Sequence, residues 1–409
     1  MALDILSISI RIPAAQRKGD QTVSFYRLKY LADQGHKVRV ICFGNMSSLQ
    51  DKSDIQRLEE LGIVVYLIQH SKIEAIFNVL AGLLFSSIPL QVSWYYSRKM
   101  KHKISNLIEQ FVPDFVYCVT CRPVKNIPDT KCNLYVDFID SLALNFFRRA
   151  EKAKPLLKPI MQIESKRLLS FEQHVAQISA ESSVVSEIDA KFIGTNFVKV
   201  LPLGIDIEFE SYTPRKLSEK PYLVFTGNMS YSPNNEAVMW FIKNVWSELQ
   251  VVFPDLKLII AGRSPSKNLI HIAKFDASIC LLGEVDSVRK IIENATVAIA
   301  PMQSGSGMQN KVLEAMACSV PVVTTELGLG SIAAVDGKDV LVANSDRSFN
   351  LLITSLIKDV DLNMRVGAYG REYVTKYHLW KDVNEKFFKS ASSTLQEGGL
   401  HGASKNSNS

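Results

Sequence analysis

The chain has 409 residues, 47% hydrophobic and 22% charged, a length and composition that suit two globular domains and are too long for one ordinary core. Its net charge of +6 arises wholly in the first half, where residues 1–200 hold 26 Lys and Arg against 19 Asp and Glu, while the remainder holds 21 against 22. Beside ordinary solvated charge, that asymmetry suits an anionic partner of the first domain, a membrane surface or a lipid-diphosphate acceptor, better than nucleic acid, which demands denser basic clusters. The six cysteines lie mostly in apolar runs without the spacing of a disulfide framework, which points to a reducing cytoplasm. Cys118 and Cys121 form a C-x-x-C, but no second pair or nearby histidine completes a metal site.

In chain order, Met1 to Arg11 reads as a strand rather than a signal peptide, because an acid interrupts its short apolar run and no basic region precedes it. Strand candidates at Ile5–Ile10, Val38–Phe43, Val64–Ile68, Phe115–Cys118, Leu134–Asp137 and Ser183–Val185 alternate with helical stretches such as Thr22–Gln34 and Ser97–Gln110. This alternation predicts a doubly wound parallel sheet. Residues Ala75–Tyr96 carry no charge, yet Asn78, Pro89, Gln91 and several serines argue against a membrane span. The expectation there is a helix over Ile73–Phe85, either packed internally or lying at a membrane interface beside the basic face Arg98, Lys99, Lys101, His102 and Lys103. A long helix is expected over Leu156–Ala180.

Residues 1–200 therefore form a first domain and 201–220 a linker, marked by proline, glycine and a rise in charge. A second alternating set, Tyr222–Thr226, Lys257–Ala261, Ile279–Leu282, Val297–Ala300, Pro321–Thr324 and Val340–Val342, predicts another doubly wound sheet over residues 221–376. Helices close the chain to about residue 389. The serine-, glycine- and asparagine-rich tail 390–409 is expected to be disordered.

The most informative segment runs from the buried strand near Ile299 through Gly305-Ser306-Gly307 into a helix starting near Met308. Such a loop brings backbone close to a ligand, and the helix start directs N–H groups and a positive dipole end at an anion, although glycines before helices also serve plain turning. Met308 and Gln309 stand at that helix start. Lys311 adds a full charge, and Glu314, one turn further on, can accept hydrogen bonds from a vicinal diol such as ribose. Diphosphate plus ribose spells a nucleotide.

Ligands of open parallel sheets sit beyond the strand C-termini, so the other loops to read follow the remaining strands. Arg11 to Asp20, with Lys18 and Gly19, is either a surface loop or one that faces a diphosphate. Asp137 and Asp140 end a strand, where Asp140 can bind hydroxyls or cap the next helix. Arg263 can pair with phosphate oxygens or form a surface ion pair. Gly283 and Val285 either carry backbone contacts to a nucleobase or form a strand-to-helix turn. Asn228 supplements those contacts or serves its own turn.

The stretches Phe225-Thr-Gly-Asn-Met-Ser-Tyr-Ser-Pro-Asn-Asn-Glu-Ala-Val, Ile259-Ile-Ala-Gly-Arg263, Leu282-Gly-Glu-Val285 and Asn310-Lys-Val-Leu-Glu-Ala-Met-Ala317 resemble glycosyltransferase family 4, in particular a subgroup associated with exopolysaccharide assembly. The resemblance is strongest from Tyr222 to Tyr377. It implies an α/β GT-B fold, with two facing Rossmann-like doubly wound parallel-sheet domains, a cleft between them, and a last helix at 377–389 returning to the first. It further implies a retaining glycosyltransferase moving sugar from a nucleotide diphosphosugar to a hydroxyl of a lipid-linked glycan, in the cytoplasm or at the inner face of its membrane. The first domain would bind the acceptor and the second the donor. Arg263, Lys311 and Asp140 would be catalytic, with the two cations stabilising the departing diphosphate and Glu314 holding ribose; no cofactor or metal is implied. The chain departs from the family at Ser306, where many members carry a first glutamate, and at Gly227–Ser230, where many carry a basic pair. A non-catalytic scaffold and a GT-B epimerase or phosphorylase are the alternatives.

Overall fold

Runs such as Val38–Phe43 and Val297–Ala300 become strands buried on both faces, the pattern expected of parallel sheets covered by helices on each side. The computed structural model describes residues 2–15, 19–85, 87–128, 132–151, 153–194, 198–205, 209, 220–305, 308–389 and 392. The chain divides into two compact units, one comprising residues up to Pro202 together with those from Val383 onward, the other Leu203–Asp382.

In the first unit seven parallel strands, β1 (Asp4–Ser9), β2 (Lys37–Phe43), β3 (Val64–Ile68), β4 (Phe115–Val119), β5 (Leu134–Ile139), β6 (Glu181–Val184) and β7 (Val198–Val200), lie in the order β3-β2-β1-β4-β5-β6-β7. Two neighbouring apolar clusters pack on one face of this sheet: Ile8, Ile41, Met100 and Leu107 belong to one, and Cys118, in register with Ile8, belongs with Phe138, Leu168 and Val175 to the other. From Val383 onward, the helical segment over residues 380–389 belongs to this unit. Its Asn384 accepts a 2.7 Å hydrogen bond from the buried Arg27 and donates to the Tyr26 carbonyl, while Phe387 packs its ring on the same guanidinium. Arg27 also lies 3.6 Å from Asp137, which accepts a hydrogen bond from Tyr117. A buried charge cluster of this kind persists because each member is partnered.

The second unit holds β8 (Tyr222–Thr226), β9 (Lys257–Ala261), β10 (Ile279–Gly283), β11 (Val297–Ala300), β12 (Val322–Thr324) and β13 (Leu341–Val342), all parallel, in the order β10-β9-β8-β11-β12-β13. Phe225, Phe241, Trp246 and Phe349 belong to one apolar cluster; Val224, Val312, Met316 and Val374 to a second. Strand order reverses between β1 and β4 in one sheet and between β8 and β11 in the other. Those reversals open the crevices where ligands of doubly wound sheets bind.

Two expectations are corrected. The helix Lys72–Phe85 is not an internal packing element, because Ile73, Ile76, Phe77, Leu80 and Leu83, a single row at helical spacing, are exposed. The long helix expected from Leu156 begins at Lys158 and runs to Ile178, leaving Leu156 and Leu157 exposed before it. The tail expected to be disordered lies outside the described residues apart from Ser392.

Candidate functional site

At the C-terminal edge of the second sheet the loops after β8, β9 and β10 are tied together by backbone. Gly227 donates its N–H to the Ala261 carbonyl, Gly262 donates to Gly283 at 2.7 Å, and Met229 donates to Arg263 at 3.0 Å. The approach is so close that a Cβ on Gly262, whose φ is +150°, would lie 1.8 Å from the Gly227 carbonyl oxygen. Only glycine fits there.

Lys311 stands one residue into the helix Asn310–Ala317, which follows β11. Its ammonium is enclosed, donating to Asn234 Oδ1 at 2.9 Å, to Gln309 Oε1 at 2.8 Å and, weakly, to Met302 Sδ at 3.8 Å, with the Phe225 ring centroid 5.4 Å away. All of these are neutral. Burial consequently pulls the Lys311 pKa down to about 8, against the opposing pull of Glu314. A desolvated cation without a hydrogen-bonded carboxylate is poised to be stabilised by an arriving anion.

Arg263 follows the Gly262 turn, half-buried. Its guanidinium has no hydrogen-bond or ion-pair partner among the described residues, which removes the surface ion pair as an account of it there. Glu314 lies half-buried one turn along the same helix as Lys311, and Gln309 is the N-cap residue, buried, with its side-chain oxygen given to Lys311 rather than to the helix amides. Met308 packs against the neighbouring core. A Cβ on Gly305, whose φ is +114°, would lie 3.3 Å from Pro233 and 3.4 Å from the Tyr231 hydroxyl; Ser306 and Gly307 lie outside the described residues. Gly283 ends β10 and Val285 occupies the following loop, half-buried. For Asn228 the turn reading prevails, because its side-chain oxygen accepts from both the N–H and the hydroxyl of Ser230.

The first helical turn after β8 supplies residues that sequence reasoning missed. Asn234 joins Lys311 to the Asn228 carbonyl, to which its side-chain amide donates at 3.0 Å. Glu236 accepts from Ser232 and from Ser304. These partners lie some 70 residues from the glycine loop in sequence, and nothing local announces the pairing.

In the first unit Arg11 is held by Asp20 through two 2.7 Å hydrogen bonds, and Gly19, exposed, opens the helix Gly19–Asp33. Lys18 lies outside the described residues. Asp140 follows Ile139, a β-branched residue at φ +65°, and the adjacent strand β4 is followed likewise by Thr120 at φ +63°. Asp140 is not the helix cap: Ser141 fills that place, its hydroxyl accepting from Leu144, while buried Glu172 takes the N–H groups of Leu142 and Ala143. Asp189 accepts from the Ser141 amide. Beside this network, Asp140 is desolvated and lies near Asp189, which together push its pKa up to about 6 although Arg122 and Arg148 oppose them. The structure thus brings Asn228, Arg263, Gly283, Gly305, Gln309 and Lys311 onto loops at one sheet edge and helix start, while Asp140 and Gly19 belong to the other unit.

Residues 220–359 match the family described as glycosyl transferases group 1. Over 401 residues the chain is 21% identical to an uncharacterized 44.6 kDa protein in the cps region of Klebsiella pneumoniae, spanning 94% of this chain and 99% of that protein. A 136-residue stretch is 33% identical to an uncharacterized glycosyltransferase of Methanocaldococcus jannaschii, covering 32% of this chain and 38% of that one. The crystal structure of Anabaena HepE in complex with UDP and glucose superposes with a TM-score of 0.66 at 13% identity, covering 96% of this chain and 100% of HepE. Two Rossmann-like parallel-sheet units of this topology define a protein of the GT-B fold. Within that fold, residues 220–359 form a glycosyl transferases group 1 domain.

Proposed function

We propose that the protein transfers a sugar, with retention at the anomeric carbon, from a nucleotide diphosphosugar to a hydroxyl of a lipid-linked glycan in cell-surface polysaccharide synthesis. The observation that carries this reading is the joint placement, at the edge of one sheet, of an enclosed ammonium with neutral partners, a guanidinium with no partner among the described residues, and a helix start. A diphosphate satisfies all three. One phosphate oxygen would replace the weak Met302 contact of Lys311, another would pair with Arg263, and Glu314 would accept from ribose hydroxyls. As the anomeric C–O bond to the diphosphate breaks, charge grows on the leaving oxygen and the two cations hold it; the acceptor oxygen forms the new bond and its proton passes to the departing phosphate.

The UDP and UDP-glucose found with Anabaena HepE support uridine nucleotides as the first donors to try. The cps-region relative supports the polysaccharide assignment. Calorimetric titration with UDP-, GDP-, ADP- and TDP-sugars tests the donor: binding of one, lost in Glu314→Ala, is expected, and no binding by any sugar nucleotide would overturn the reading.

A peripheral membrane contact completes the proposal. The exposed row on Lys72–Phe85 stands beside the start of the basic helix Arg98–Phe111, because Glu74 accepts from the Arg98 amide and the Ser97 hydroxyl. An apolar row flanked by Lys99, Lys101 and Lys103 fits the interface of an anionic bilayer. Replacing those three lysines by glutamine should weaken co-sedimentation with phosphatidylglycerol liposomes several-fold; unchanged sedimentation would remove the membrane from the account.

A further inference from the structure

Two adjacent strands of the first sheet finish in a backbone conformation that β-branched residues avoid. Thr120, directly after β4, and Ile139, the last residue of β5, have φ of +63° and +65°, and the two strands pair with Val119 opposite Asp137. Neighbouring bonds hold both turns. Thr120 donates its N–H to the Asp137 carbonyl at 2.8 Å, Ile139 donates to Asp137 Oδ1 at 3.2 Å, and the Ile139 carbonyl accepts from Val185 at 2.8 Å. Strain of this kind costs free energy and clusters where a fold positions groups for a ligand. The residues it delivers here are Arg122 and Asp140.

Arg122 is half-buried and oriented through its Nε, which donates to Gln91 Oε1 at 3.2 Å. Its two terminal nitrogens have no partner among the described residues. Arg148, half-buried in the last turn of the helix Leu142–Glu151, has no hydrogen-bond or ion-pair partner among them either. The Asp140 carboxylate accepts no hydrogen bond from a described residue, although both arginines lie close enough to pull its pKa down. Three charged groups thus share one sheet edge without a contact joining them.

Their chemistry selects the ligand. Two guanidinium groups suit a phosphate, and the terminal nitrogens of Arg122 match two of its oxygens. A carboxylate repels phosphate but accepts from hydroxyl groups. A sugar phosphate offers both at once, with hydroxyls a few bonds from the phosphate.

We propose that the edge formed by β4 and β5 is a binding site for a glycosyl phosphate, with Arg122 and Arg148 on the phosphate and Asp140 on adjacent sugar hydroxyls. The site stands on the first unit alone; its assignment to the lipid-linked acceptor, whose sugar is joined to lipid through phosphate, rests on the function proposed above. The competing role for the two arginines is to offset the charge of Asp140 with no ligand involved.

Phosphorus NMR titration tests the site with inorganic phosphate and with the 1-phosphates of glucose, galactose and N-acetylglucosamine. A Lys311→Met parent keeps the proposed donor site from contributing, and Arg122→Gln, Arg148→Gln and Asp140→Asn are added to it singly, with melting temperatures to confirm folding. The parent should bind at least one sugar phosphate more tightly than inorganic phosphate. Each arginine variant should weaken both ligands about fivefold or more, whereas Asp140→Asn should erase the gain that the sugar adds and bind inorganic phosphate no less tightly than the parent. Arg148→Gln carries the test should Arg122→Gln, which loses the Gln91 bond, fail to fold. A parent that binds no sugar phosphate, or arginine variants that bind it as the parent does, would overturn the proposal in favour of charge compensation. The same sugar linked through diphosphate to farnesol should bind more tightly than its 1-phosphate; equal binding would refute the lipid-linked assignment and leave the glycosyl phosphate site standing.

Discussion

Raising the pH from 7 to 9 should weaken donor binding, because the proposed diphosphate site contains an ammonium whose pKa burial has brought down to about 8. With that value Lys311 is about 90% protonated at pH 7 and about 10% at pH 9 in the free protein. If the diphosphate binds the ammonium form, its Kd weakens about tenfold over that interval, equivalent to about 1.4 kcal/mol. The stability of the free protein moves the opposite way. Between pH 8 and the ordinary lysine range near 10.5 the unfolded chain holds a proton that the folded chain has released, so stability rises with pH through this window. The deficit, roughly 3 kcal/mol, is complete below pH 8 and relieved above it. Lys311→Met should abolish both trends relative to wild type and bind donor weakly at every pH. Calorimetric titrations at pH 7, 8 and 9, with urea unfolding at the same values, provide the readout. Wild-type affinity constant within twofold, or a Lys311→Met variant with wild-type affinity and slope, would refute the assignment of Lys311 to the diphosphate.

Gly262→Ala drives a Cβ toward the Gly227 carbonyl and asks alanine to hold φ +150°. Strain and the loss of the Gly227 and Gly262 backbone hydrogen bonds together amount to about 3 kcal/mol, a fall in Tm of about 6–12 °C for a unit of this size. Circular dichroism melts read it, and a fall below 2 °C would contradict the close approach. Asn384→Ala removes an acceptor from the buried Arg27 guanidinium and a donor from the Tyr26 carbonyl. Urea unfolding should show a loss of about 3 kcal/mol; an unchanged midpoint would mean that the helical segment over 380–389 contributes little to the first unit.

The repeated strand-helix alternation was legible because parallel strands buried on both faces appear as continuous apolar runs, and Val38–Phe43, Tyr222–Thr226, Lys257–Ala261 and Val297–Ala300 lie within a residue of their expected bounds. β7 escaped notice, since three residues beside Leu-Pro-Leu-Gly carry too little pattern to separate strand from linker. The exposure of Ile73, Phe77 and Leu80 was not legible either. A row at helical spacing looks the same whether it meets a core or a solvent-facing surface, and only the surrounding helices decide. At the candidate site, the residues brought by local sequence, Gly305, Gln309, Lys311 and Glu314, were visible in the loop and helix start. The partners that give them their character, Asn234 and Glu236, come from a different strand-loop-helix unit and became apparent only when β8 and β11 were paired.

The central claim, that the glycine loop and the helix Asn310–Ala317 receive a sugar nucleotide, is tested most directly by titrating UDP-glucose, and then the other sugar nucleotides, into wild type and Glu314→Ala. The account predicts saturable one-to-one binding to wild type of one nucleotide class and at least tenfold weaker binding to the variant. Equal affinities would place the ribose elsewhere, and no binding to wild type by any sugar nucleotide would contradict the claim itself.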